Sequence, residues 1–94
     1  MVPLDLSARM RAWHRVERGR VRAFTVQLEV LLENQWRPVV RYDTAHDFAH
    51  QDLYTKGGGQ LKTPLGMDFS QARTFAQKDI LMNWQEYRRI FLEE

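Results

Sequence analysis

Cysteine is absent from the 94-residue chain, which removes disulfides, thiolate catalysis and zinc-finger chemistry together and fits a reducing compartment. Long apolar runs are absent as well. The sequence reaches only trios such as Val30-Leu31-Leu32, far short of a membrane span, and its N-terminal residues lack the apolar stretch of a secretory signal. The expected address is cytoplasmic, with no membrane partner. Acids are scarce in the N-terminal quarter, where Arg9, Arg11, Arg15, Arg18, Arg20 and Arg22 are answered only by Asp5 and Glu17. The net charge is only +2, yet eleven of the fourteen basic residues are arginine, whose planar donor fork suits phosphate and carboxylate. An anionic partner such as RNA accounts for this excess, and so does an ordinary solvated helix face.

What remains reads as one domain, 1–94, whose core buries about two-thirds of the unfolded chain's surface. From Ser7 to Arg18, Met10, Trp13 and Val16 recur at helical spacing, with Ser7 to cap the start and Gly19 to end it, so residues 1–19 are expected to form a short basic amphipathic helix or arm. Phe24, Val26, Leu28, Val30 and Leu32 alternate with more polar neighbours, the period of a strand with one buried face. Glu33-Asn34-Gln35 supplies a turn into a second strand, Trp36 to Asp43, and Pro38 suggests an edge position there. Leu53-Tyr54-Thr55 reads as a third strand and Leu61 to Gly66 as a fourth or a crossing. Between them, Lys56-Gly57-Gly58-Gly59-Gln60 is a flexible loop tip without the following Lys-Ser/Thr of a P-loop. Residues 20–67 thus form the hairpin and meander. Asp68 or Ser70 caps a helix in residues 68–94 that runs to about Leu92 and presents Phe69, Ala72, Ala76, Ile80, Tyr87, Ile90 and Phe91 on one face, with Trp84 at its margin. The expected fold is α+β: an antiparallel sheet of three to four strands, the long C-terminal helix across one face and the short N-terminal basic helix beside it.

The most site-like segment is Arg41-Tyr42-Asp43-Thr44-Ala45-His46-Asp47-Phe48-Ala49-His50-Gln51-Asp52. As acid/base machinery, His46 and His50 would exchange protons with a ribose hydroxyl and a leaving oxygen, with Arg41 stabilising phosphate charge and Asp43 beside them. As a metal site, Asp43, His46, His50 and Asp52 would supply oxygen and imidazole ligands. As plain structure, Asp43 and Asp47 cap turns while the histidines anchor a connection. Asp79 and Asn83 fall inside the apolar arc of the helix, so Asp79 is expected to meet Arg41, His46 or His50.

Arg41-Tyr42-Asp43 followed by His46 and His50 resembles a motif of small uncharacterised prokaryotic proteins and of TumE-type toxins of toxin–antitoxin pairs. In the former, a helix patterned like Phe75-Ala76-x-x-Asp79-Ile80-x-x-Asn83-Trp84-x-x-Tyr87 follows. The resemblance covers about Arg20 to Phe91 and implies a small toxin-like module with an antitoxin-like protein partner. The leading expectation is an RNA-directed, metal-independent ribonuclease that needs no cofactor, with Asp52, Asp79, Asn83, Arg15, Arg18 and Arg22 as binding groups. The rival is a non-enzymatic module that binds protein or nucleic acid through Trp13, Trp36 and the arginines. Exposed sheet edges would allow a homodimer.

Overall fold

The computed structural model describes residues 1–94 and corrects the expected fold. Six strands, not three or four, form one antiparallel sheet whose spatial order follows the chain: β1 (Val2–Asp5), β2 (Ala8–Glu17), β3 (Arg20–Leu32), β4 (Gln35–Asp43), β5 (His50–Tyr54) and β6 (Gln60–Pro64). One helix, α1 (Phe69–Glu93), closes the chain.

No N-terminal helix exists. The segment expected to be helical is β2, paired with β3 from Ala8↔Val30 to Glu17↔Arg20. The cause lies in β3, a thirteen-residue strand whose backbone groups need a partner on each side, and a ten-residue strand satisfies one side. The spacing of Met10, Trp13 and Val16 marks no buried stripe, because Trp13 and Val16 are 56% and 51% exposed. Ala8 and Met10 are the buried residues of β2, opposite Val30 and Leu28.

The turn chemistry follows the same logic. Arg18-Gly19 and Glu33-Asn34 both have positive φ at each position, the two-residue hairpin whose twist matches that of the flanking strands. Gly19 therefore turns a hairpin rather than ending a helix. Ser7 caps nothing: its amide donates to Asp5 Oδ1 at 2.8 Å, and its carbonyl accepts from Leu31 N. Pro38 lies in an interior strand, at the register shift opposite Leu28 and Glu29 and beyond the last β4–β5 pair, where no partner asks for its missing amide hydrogen.

Asp68 accepts from Gln71 N at 2.8 Å and so caps α1. The helix lays Ala72, Ala76, Ile80 and Phe91 on Phe24, Val26, Leu28 and Val30 of β3 and on Val40 and Tyr42 of β4. Each large side chain sealed there contributes about 1.5–3 kcal/mol. Strand alternation assigns the odd residues of β3, and Arg41 and Asp43 of β4, to the other face, which α1 does not cover. Before the register shift at Val39 the parity of β4 reverses, so that Val39 joins the core and Arg37 lies over Phe91.

Candidate functional site

Three polar assemblies stand out, and strand geometry separates them. On the helix side, Asp79 sits between two phenols: Tyr42 Oη and Tyr87 Oη each donate to its Oδ2 at 2.5 Å, and Asn83 Nδ2 donates to Oδ1 at 2.8 Å. Gln51 Nε2 donates to Tyr42 Oη at 2.8 Å. Burial and the Asp79 carboxylate push the Tyr42 hydroxyl far up and that of Tyr87 up to about 12. The expected meeting of Asp79 with Arg41, His46 or His50 does not occur. Arg41 and His50 belong to the opposite face, since each alternates with a residue, Tyr42 or Gln51, that points to the helix.

The second assembly lies on that opposite face. Asp43 of β4 is paired with His50 of β5, and Asp52 follows two residues on, opposite Lys62 of β6. His50 Nε2 stands 2.7 Å from Asp43 Oδ1, 3.4 Å from Asp52 Oδ2 and 3.1 Å from Lys62 Nζ. Its Nδ1 lies 3.2 Å from Phe48 O, with the Phe48 ring tilted beside it at 5.2 Å. His50 is fully buried and Asp52 is 3% exposed. Phe48, Asp43 and Lys62 thus close over an imidazole that sits inside the sheet's edge.

Next to it runs a chain of hydrogen bonds across β2, β3 and β4. Arg41 Nε donates to Gln27 Oε1, Gln27 Nε2 donates to Glu29 Oε2, and Arg9 Nε donates to Glu29 Oε1, all at 2.6 Å. Arg9 also lies 4.0 Å over Trp36. Glu29 is buried; Arg9 balances its charge and the Gln27 amide satisfies its second oxygen.

His46 is elsewhere in chemical terms. It lies exposed in a 3-10 turn, Ala45–Asp47, with φ of 66°, followed by Asp47 at 67°. The group of candidate ligands is Asp43, His50 and Asp52, without His46. The structure therefore brings together Asp43, His50 and Asp52, leaves Arg41 bound to Gln27, and separates the two imidazoles that proton exchange across one substrate would need. Lys62 was missed by the sequence reading. The signal that would have found it is register, since Lys62 reaches the site only because β5 and β6 pair Asp52 with Lys62.

The third assembly is the distal part of the β2–β3 hairpin. Residues 11–20 and Arg22 are exposed and Val21 is half-buried, and the segment 11–22 carries Arg11, Arg15, Arg18, Arg20 and Arg22 against one acid, Glu17. Arg11, Trp13 and Arg15 alternate onto the face away from α1; Arg11 and Trp13 line a shallow hollow with Thr25, Gln27, Arg41 and Asp43. Arg20 and Arg22 line a cleft of about 730 Å³ on the helix side, which also meets Phe48, Met67, Phe69 and Ser70. Inside residues 11–22 the one ion pair is Arg15 Nε with Glu17 Oε1 at 3.5 Å, and Arg11 also reaches Glu29 Oε2 at 3.9 Å.

Comparison with known families matches residues 1–94, the whole chain, to a domain of unknown function, DUF7718. The chain belongs to that family. No curated protein and no solved structure matches it. The DUF7718 description carries no activity, so the chemistry of this member rests on the three assemblies. No helix of the DUF7718 chain is long and apolar enough to cross a membrane.

Proposed function

We propose that this DUF7718 protein is a nucleic-acid-binding module and that the distal β2–β3 hairpin is its contact element, with single-stranded RNA as ligand. The observation that carries the reading is a two-stranded ribbon, exposed on both faces, with five arginines and one acid over residues 11–22. Little in the fold requires that charge: the arginines pack against no core, and their ion pairs are limited to Arg15 with Glu17 at 3.5 Å and a long contact of Arg11 with Glu29 at 3.9 Å. Phosphates are the complement of such a surface.

Trp13 points to a single strand rather than a duplex. It is 56% exposed on the same face as Arg11 and Arg15, so an unpaired base could stack on the indole while the flanking guanidiniums hold its phosphates. The polar segment supports binding better than cleavage by a pair of histidines, because His50 is sealed and His46 stands apart.

Fluorescence anisotropy with a labelled single-stranded RNA, titrated at several salt concentrations, tests this. Binding should weaken linearly in log–log form with a slope of about −0.7 for each phosphate engaged. Arg15→Glu/Arg18→Glu/Arg20→Glu/Arg22→Glu should abolish it, and Trp13→Ala should cost about 1–3 kcal/mol. Undiminished affinity in the fourfold variant would refute the hairpin as the contact element.

A further inference from the structure

We propose that Asp43, His50 and Asp52 form a binding site for a divalent metal cation, in which the ammonium group of Lys62 now takes the cation's place. Phe48 O can only accept, so the 3.2 Å contact assigns the ring hydrogen to His50 Nδ1. That arrangement, one nitrogen donating to a backbone carbonyl, is how a metal-bound histidine is usually held, and it leaves Nε2 with a bare lone pair. This lone pair faces Asp43 Oδ1 at 2.7 Å and Asp52 Oδ2 at 3.4 Å. Three electron-rich atoms converge, and only a positive charge among them makes the arrangement favourable. Lys62 Nζ, 3.1 Å from His50 Nε2, supplies it.

A second observation comes from Asp52. Its Oδ1 is buried and accepts no hydrogen bond. Lys62 Nζ is 3.5 Å from it, which is an ion-pair distance without hydrogen-bond geometry. Native proteins rarely leave such an oxygen unused, and here it belongs to a carboxylate 3% exposed and turned into the cluster. The ammonium therefore neutralises the site incompletely, whereas a dication would engage both carboxylates directly.

The dimensions fit. Metal–ligand bonds of about 2.0–2.2 Å place neighbouring donors roughly 3–3.5 Å apart, and the three residues' ligand atoms already lie within 4.8 Å of one another. Two carboxylates and one imidazole suit a first-row dication such as Mn²⁺ or Zn²⁺. Entry requires only that Lys62, 41% exposed on the edge strand β6, swing its flexible stem outward. A purely structural arrangement, with a charged imidazolium donating to Phe48 O and Asp43, would need no metal. It would, however, set an ammonium 3.1 Å from a charged N–H.

Calorimetric titration of the untagged, chelator-stripped chain with Zn²⁺ and Mn²⁺ decides between them. At least one cation should bind with a stoichiometry near one, and Lys62→Ala should bind it more tightly because its competitor is gone. Asp43→Asn, which keeps size and fold, should weaken binding by about tenfold or more, while His46→Gln should leave it unchanged. Failure of both cations to bind the native chain and Lys62→Ala would overturn the site. Equal affinity in Asp43→Asn would place the metal elsewhere and overturn it too.

Discussion

The two ends of β3 live in different surroundings although one strand contains both. From Phe24 to Val30 every second residue is sealed beneath α1, and the intervening Gln27 and Glu29 are tied into a hydrogen-bonded chain on the other face. From Arg20 to Ala23 and along the facing part of β2, only Val21 packs against the core, and the arginines are exposed. The first half is built for stability, with polar groups paired to one another. The second half is held by backbone pairing with little side-chain packing beyond Val21, and it offers its charge outward. Stability and binding are therefore carried by different residues of one continuous ribbon.

That separation can be broken by mutation, and the covered half should respond most. Leu28→Ala empties a fully buried position and should cost about 2–5 kcal/mol in chemical denaturation. Asp79→Ala leaves two phenols without their acceptor and should cost about 1–3 kcal/mol. The same tyrosines sharpen the contrast through pH. They hold their protons more tightly folded than unfolded, Tyr87 up to about 12, so stability is complete below about pH 10 and is lost as pH rises through about 12. Melting curves should show this fall, and Tyr87→Phe should reduce it. The smallest effect belongs to the exposed half: Arg15→Glu/Arg18→Glu/Arg20→Glu/Arg22→Glu should stay within roughly 0.5 kcal/mol of the parent while losing RNA. A large loss of stability there would show that the two halves are not independent.

How far the sequence could be read depended on whether a signal was local. The alternation from Phe24 to Leu32 and the helical period from Phe69 to Phe91 are contained within their own elements, and both elements lie where those periods point. The β2 segment has no such signal. Only Ala8 and Met10 are buried, and its identity depends on β3, which no window over residues 7–18 includes. The start of β5 was hidden for the opposite reason, because its buried residues are His50 and Asp52, which read as a loop. The candidate site suffered likewise. Asp79 could be recognised as a polar group in an apolar arc, but choosing Tyr42 over Arg41 as its partner requires knowing which alternate residues of β4 face α1. The Asp43, His50 and Asp52 group was legible as a set of residue types, and the exclusion of His46 was not, since it follows from the left-handed turn at His46 and Asp47.

The strand order has a consequence for the chain as it is made. Each strand pairs with its predecessor, so the sheet can assemble step by step during translation, with loops of only a few residues to close. The cover does not follow that rhythm. The helix comes after all six strands, so a growing sheet carries Phe24, Val26, Leu28 and Val40 uncovered until Phe69–Glu93 emerges from the ribosome. During that interval the nascent chain is a sticky half-sandwich, and the step that covers its apolar face is the arrival of a single helix.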